Sequence, residues 1–290
     1  MSRIIRFLVA FTACLSFCAH AAVDDHHHAT SFDSAFQRST TAMHLAGFLE
    51  RSLSHHVILL LTHTTPRFAY LHPTREQDDD EFQVQEHGVL EPGITALWQG
   101  LIRDACQSDL PALIVDVGVN FGFCTTLTSA LGCRVIGFEP VHLFREIAIL
   151  NVASFNPVRN HVRISSQVVS NSNENVTICY PDGSASSIMG TAGVRGANGA
   201  NGFSNDWVQT AICENHTATP LSRIINEPVC LLKIDVEGME PYVMEGARGL
   251  LDTHVVQNVI LEFSPALTHR PGLPSRADQV AMLKEMAGRG

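Results

Sequence analysis

Apolar β-branched runs that alternate with helical segments predict a doubly wound α/β fold with a mostly parallel sheet. Leu113-Ile-Val-Asp-Val, Arg134-Val-Ile-Gly-Phe-Glu, Cys230-Leu-Leu-Lys-Ile-Asp and Val259-Ile-Leu-Glu-Phe are apolar at consecutive rather than alternate positions. A strand of that kind needs cover on both faces, and only crossover helices on each side of a parallel sheet supply it. Helical patterns fall between the runs, around 124–130, 143–152, 242–251 and 277–286.

The chain of 290 residues is long enough for one large α/β domain or two small ones. With 45% hydrophobic and 17% charged residues it has a globular composition, so a disordered chain is excluded. A net charge of −10 and only two lysines, Lys233 and Lys284, exclude a nucleic-acid partner, because phosphate binding needs clustered cations.

At the N-terminus Arg3 and Arg6 flank an apolar stretch from Phe7 to Cys18, and Ala19-His20-Ala21 follows as a small-x-small pattern. This order of basic, apolar and small residues reads as a signal peptide over residues 1–21 and directs the chain to the secretory pathway: ER or Golgi lumen, or export. The apolar stretch is shorter than the roughly 20 residues of a membrane span, so membrane contact is expected only through an uncleaved signal anchor. Two N-x-[ST] sequons, Asn175-Val-Thr and Asn215-His-Thr, gain meaning in that compartment and mark the chain as a glycoprotein. Six cysteines lie beyond the leader, none in a CxxC pair, which argues against zinc; their irregular spacing and apolar surroundings favour buried free thiols over disulfides.

Residues 22–83 are expected to form a helical or flexible extension, with a solvated His26 to His28 run and a loosely helical stretch from Ser34 to the apolar Val57 to Leu61. Asp78-Asp-Asp-Glu81 is expected as an exposed turn before the domain of residues 84–290. There Ile94, Leu97, Trp98, Leu101 and Ile102 make one face of an amphipathic helix. Between Asp182 and Phe203 glycines recur every third residue, which reads as a surface insertion.

In doubly wound sheets ligands sit at the carboxyl ends of the strands. The first of these ends is Asp116-Val-Gly118-Val-Asn120-Phe-Gly122. Glycine there lets backbone approach a cofactor, and the helix that follows offers N–H groups. A dinucleotide fingerprint would place glycine where Asn120 stands, which weakens the case for a pyrophosphate. S-adenosylmethionine has no phosphate, yet its ribose still wants a carboxylate at the second strand end. Glu139 stands 21 residues after Gly118, near the expected offset. Asp116, Gly118, Asn120, Gly122 and Glu139 are therefore the candidate cofactor residues. Across the cleft, Lys233-Ile-Asp235-Val-Glu237-Gly-Met-Glu240 closes another strand with polar groups that are costly unless used or paired.

The stretches VDVGVNFG, GFEP, LLKIDVEGMEPYVMEGARGLL and VILEF together resemble the FkbM family of S-adenosylmethionine-dependent methyltransferases, over about residues 84–290. The resemblance implies a class I, Rossmann-like methyltransferase fold and O-methylation of a sugar, glycan or small-metabolite hydroxyl. It also places Ser184-Ala-Ser-Ser-Ile near the cofactor's adenine. Two departures stand out. Thr219-Pro-Leu-Ser222 lacks the aspartate the family often carries after the leucine, and no sequence follows the last helix to make the usual C-terminal antiparallel strand pair. The sheet edge beside Val259 to Phe263 is therefore expected to be bare.

Methyl transfer to oxygen needs an aligned acceptor and a proton sink. Asp235 is the expected base or acceptor-orienting group, with Lys233, Glu237 and Glu262 beside it. The alternative for Glu237 and Glu240 is capping of the helix that follows. Asp235 and Glu262 would suit Mg²⁺, although no further residue supports a metal, and none is assigned. Two other classes compete: an NAD-dependent oxidoreductase, and an inactive cofactor-binding protein of the secretory pathway.

Overall fold

The computed structural model describes residues 6–11, 57–73, 79–155, 161–181, 193–195, 211–253, 256–263 and 273–289. Its elements, in chain order, begin with β1 (Arg6–Phe11), β2 (Val57–Leu61), β3 (Ala69–Pro73), α1 (Asp79–His87), α2 (Pro92–Cys106) and β4 (Leu113–Val117). Next come α3 (Phe123–Ala130), β5 (Arg134–Phe138), α4 (His142–Phe155), β6 (Val162–Ser165), β7 (Val168–Val169), β8 (Asn175–Pro181), β9 (Gly193–Arg195) and β10 (Ala211–Thr219). The chain closes with α5 (Leu221–Ile224), β11 (Val229–Ile234), α6 (Glu240–Gly246), α7 (Arg248–Asp252), β12 (Val256–Phe263) and α8 (Arg276–Arg289).

The main sheet has the order β1-β12-β11-β4-β5-β6, and every pairing in it is parallel. The predicted doubly wound α/β class is what the chain adopts. On one face Val115, Val117, Leu232, Ile234, Val259 and Leu261 pack against α6, α7 and α8 through residues such as Val243, Leu251 and Met282. On the other, Ile114, Leu231 and Ile260 meet Trp98, Ile102, Leu127 and Ile147 of α2, α3 and α4. Both faces are covered, so alternation never becomes visible in the strand sequences.

Four expectations are corrected. First, the edge beside β12 is not bare: Arg6 to Phe11 pairs with Asn258 to Phe263 in parallel, so the middle of the presumed leader supplies the sixth strand. A continuous apolar run of that length satisfies a strand as readily as a signal core. Second, Val57 to Leu61 is not the end of a helix but one arm of an antiparallel hairpin with Ala69 to Pro73. Its consecutive apolar residues have no 3.6-residue period to hold them helical. The candidate buried positions Met43, Phe48, Leu49 and Leu53, and the run His26 to His28, lie outside the described residues. Third, Asp79, Asp80 and Glu81 do not form an exposed turn but open α1, while Asp78 lies outside the described residues.

Fourth, four of the six cysteines form disulfides, Cys106–Cys133 and Cys179–Cys213, while Cys124 and Cys230 remain free. Irregular spacing hid them because the partners are brought together by the fold: Cys106 ends α2 beside the start of β5, and Cys179 and Cys213 face each other across paired strands. The small sheet β7-β10-β8-β9 was not foreseen at all. Apart from β9, the glycine-rich stretch, with Ser184-Ala-Ser-Ser-Ile, lies outside the described residues. Among the described residues no helix is long and apolar enough to cross a membrane.

Candidate cofactor and acceptor site

Strand order reverses between β4 and β11, and their carboxyl ends open the crevice where α/β sheets take ligands. Asp116 is in register with Lys233 on one side and Gly137 on the other. The face that is apolar at Ile114, Leu231 and Ile260 turns charged two residues later, at Asp116, Lys233 and Glu262. Every charged candidate on these strands thus falls at one end of one face.

The turn after β4 is held without side-chain caps. Gly118 and Val119 both donate their N–H to the Phe138 carbonyl at 3.0 and 3.2 Å, and Gly122 N–H closes on the Val119 carbonyl at 2.9 Å. Gly118, Asn120 and Gly122 have φ of 88°, 54° and 86°, the left-handed region that glycine and asparagine tolerate best. The sequence reading gave the glycines to the cofactor. The structure gives them another duty: a Cβ on Gly118 would stand 1.8 Å from the Asp235 carbonyl oxygen, and one on Gly122 would stand 2.8 Å from Ala148 Cβ. They let β4 approach the loop after β11 and let α3 start against α4.

Glu139 follows β5 directly and reaches into this turn, only 5% exposed. Its Oε2 accepts from Asn120 N–H at 2.8 Å and its Oε1 from Val141 N–H at 3.0 Å. Arg145 steadies the same corner by donating from Nη1 to the carbonyls of Glu139 and Pro140 at 2.9 and 2.8 Å. Burial pushes the Glu139 carboxyl up to about 7, against the pull of the two backbone N–H groups and the more distant Lys233 and Arg145. With one bond accepted on each oxygen, the carboxylate keeps lone pairs for two further donors, which is what a pair of vicinal hydroxyls offers. This acceptor set fits the ribose of a nucleoside-type cofactor.

Lys233 ties the two walls together. Its Nζ donates to the Gly118 carbonyl at 2.7 Å and lies 3.5 Å from Asp116 Oδ1 and 3.2 Å from Asp235 Oδ2. Burial opposes its charge, but Asp235 and Asp116 outweigh burial and hold the ammonium well above its usual range. Asp116 is fully buried and also accepts from Thr125 Oγ1 at 2.6 Å. Burial raises its pKa despite Lys233. For Asp235 burial loses to Lys233 and to a hydrogen bond shared with Glu262, so its carboxyl is lowered.

Asp235, Lys233 and Glu262 are therefore brought together, while Glu240 is not available to a ligand. Only 1% exposed, Glu240 accepts the N–H groups of Val236 and Gly238 at 3.0 Å each and locks the loop as a cap would. Burial lifts its carboxyl to about 6. Glu237 sits within that loop at φ 56°, a conformation held by its neighbours rather than preferred by glutamate. The Mg²⁺ idea gains nothing: the Lys233 ammonium already neutralises Asp235, and among the described residues no group of three or more His, Cys, Asp or Glu could hold a metal.

Asn151 and Arg145 were missed by sequence reasoning. Asn151, fully buried on α4, accepts Leu71 N–H at 2.6 Å and donates Nδ2–H to the carbonyls of Leu71 at 2.9 Å and Phe121 at 2.8 Å. One amide thus joins the N-terminal hairpin to the turn that carries Asn120. An asparagine inside an apolar helical stretch was the only available signal.

Comparison with known proteins gives a family match over residues 116–287, to the methyltransferase FkbM domain. Among solved structures, a methyltransferase FkbM from Methylobacillus flagellatus KT is similar at 13% identity, over 61% of this chain and 37% of that one, with a TM-score of 0.38. A SAM-dependent methyltransferase from Agrobacterium tumefaciens is similar at 12% identity, over 38% and 32% of the two chains, with a TM-score of 0.28. The chain spans about a third of the length of these solved chains. The curated proteins contain no match.

Proposed function

The chain belongs to the methyltransferase FkbM family, and from that premise we propose that it transfers a methyl group from S-adenosylmethionine to a hydroxyl of a glycan or small metabolite. The observation that carries this reading is the buried Glu139 carboxylate, set by the N–H of Asn120 in the left-handed turn of residues 118–122 and by the N–H of Val141. When bound, S-adenosylmethionine supplies an electrophilic methyl group on a sulfonium. Glu139 would hold the ribose hydroxyls, and the backbone of Gly118, Asn120 and Gly122 would line the same side. Asp116 would act through Lys233, fixing the crevice wall rather than meeting the cofactor.

On the acceptor side Asp235 keeps 36% of its side chain exposed, so it can reach a ligand while paired with Lys233. A carboxyl held below its usual range is a poor proton sink near neutrality and a good hydrogen-bond acceptor. We therefore give Asp235 the task of orienting the acceptor hydroxyl, with Glu262 and Glu237 beside it; as the O–CH3 bond forms and the methyl–sulfonium bond breaks, the hydroxyl proton would pass to the water that reaches Asp235. The compartment we propose is the secretory pathway. The basic, apolar and small residues of the N-terminus support it, as do two disulfides, which persist where thiols are oxidised.

The test is incubation of the purified chain with S-adenosylmethionine labelled in its methyl group and a panel of glycans and hydroxylated metabolites. Label transferred to an oxygen, and abolished by Glu139→Ala, supports the reading. Calorimetric binding of S-adenosylmethionine unchanged by Glu139→Ala removes it.

A further inference from the structure

The small sheet has two unlike faces. β8 and β10 are antiparallel, with Asn215 opposite Thr177 and Thr217 opposite Asn175. Alternate residues of a strand point the same way, so all four share a face. Asn175, Asn215 and Thr217 are exposed and Thr177 is half-buried. The next rung on that face is Cys179 opposite Cys213, joined as a disulfide. The other face turns inward. Ile178 and Tyr180 are buried there, and the Tyr180 hydroxyl donates to Glu214 Oε1 at 2.7 Å. Glu214 Oε2 in turn accepts from His142 N–H at 3.3 Å, at the start of the helix that follows Glu139. The sheet is thus a wall whose inner side lies against the cofactor corner at Ile178, Tyr180 and Glu214, and whose outer side is in water at Asn175, Asn215 and Thr217.

That outer side carries both N-x-T sequons of the chain, each strand's asparagine beside the other strand's threonine. We propose that Asn175 and Asn215 are both N-glycosylated, which makes the outer face of this sheet a glycan-covered surface and leaves the inner face to the methyltransferase site. In the transfer the side-chain amide nitrogen attacks the anomeric carbon of a polyprenyl-pyrophosphate oligosaccharide. A C–N bond forms, the C–O bond to pyrophosphate breaks with its electron pair leaving on the lipid pyrophosphate, and the amide gives up one proton. The folded geometry accepts the product. Thr177 Oγ1 donates to Asn215 Oδ1 at 2.9 Å, and since the sugar joins at Nδ2 this bond survives modification. Strand pairing also covers each sequon with the other, so transfer precedes closure of the Cys179–Cys213 rung. The proposal rests on the secretory reading of the N-terminus and not on methyl transfer.

The test uses the full chain in a eukaryotic secretory host, once with its own N-terminus and once behind a foreign ER leader, with intact mass taken before and after peptide-N-glycosidase. Two glycans on both versions are expected. Asn175→Gln and Thr177→Ala should each remove the first, and Asn215→Gln and Thr217→Ala the second, so a variant that fails to fold has a partner at the same sequon. A chain delivered by the foreign leader without glycosidase-sensitive mass overturns the two sites. Glycans behind the foreign leader but none behind the native N-terminus also overturn the proposal, and trace its failure to the secretory reading rather than to the sheet.

Discussion

Replacing Glu139 by glutamine tests the cofactor corner and its electrostatics together. In the proposed site, only the carboxylate form of Glu139 would accept from both ribose hydroxyls while it accepts Asn120 and Val141 N–H. With its carboxyl near 7, the ionised fraction rises about tenfold between pH 6 and pH 8, and affinity for S-adenosylmethionine should rise by the same factor. The amide of Glu139→Gln has no such titration and lacks the charge. Losing a charged acceptor costs about 1.5–3 kcal/mol, or roughly 10–150-fold in Kd at pH 8, with a flat profile below.

Stability decides whether that loss is local. The carboxyl is raised from 4.5 to about 7 by folding, so the unfolded chain releases its proton first and stability falls as pH rises through that window. At pH 8 the ionised glutamate costs about 3 kcal/mol. Glutamine removes that cost but turns an N–H toward one of the two backbone donors, a loss of about 1–3 kcal/mol. The two nearly cancel at pH 8, where the variant should melt close to the parent, while at pH 5 it should be the weaker protein. Glu240, raised to about 6, contributes to the same pH window in both proteins and drops out of the comparison. Calorimetry at pH 6, 7 and 8, with thermal denaturation at pH 5 and 8, gives every quantity. An affinity independent of pH in the parent, or equal titration in Glu139→Gln, refutes the assignment.

Lys233→Met leaves the buried Asp116 without its cation, a loss of about 3–5 kcal/mol, and should lower Tm by at least about 6 °C in a thermal melt. Gly118→Ala has no room against the Asp235 carbonyl and should fail to accumulate as soluble protein, whereas Gly100→Ala, with nothing within 4 Å in mid-helix α2, should gain about 0.5–1 kcal/mol in denaturant titration. Asn151→Ala removes three hydrogen bonds, orphans both backbone groups of Leu71, and should cost about 2–5 kcal/mol. Because Phe121 loses its tether too, cofactor affinity should fall even at temperatures where the variant remains folded, as calorimetry would show.

Where one chemical need dominates, the sequence was legible. Buried parallel strands must be apolar throughout, so β4, β5, β11 and β12 stand out in the primary structure, and the acid at the end of β5 is found by counting from Gly118. The hairpin β2–β3 and the sheet of β8 and β10 are harder, since Asn175-Val-Thr-Ile-Cys-Tyr-Pro alternates only weakly and its partner lies beyond the glycine-rich stretch. Roles inside the site were the least legible. Gly118 reads from the sequence as a cofactor contact, and the structure adds that it makes room for the Asp235 carbonyl, while Glu240 takes the capping alternative by locking the loop before α6. Both depend on which backbone passes within 3 Å, and a linear pattern carries no such distance.

Residues 6–11 bear two readings that exclude each other in time. As the leader we propose, they would be discarded after Ala21; as β1 they complete the hydrogen-bonding row of β12. Removal would turn a six-strand sheet into five and bare the outward amides of Val256 to Phe263, which hydrogen exchange would report as faster than in the unprocessed chain. Maturation would then act as more than a delivery step, because it would create a sticky margin on the molecule at the moment the leader departs.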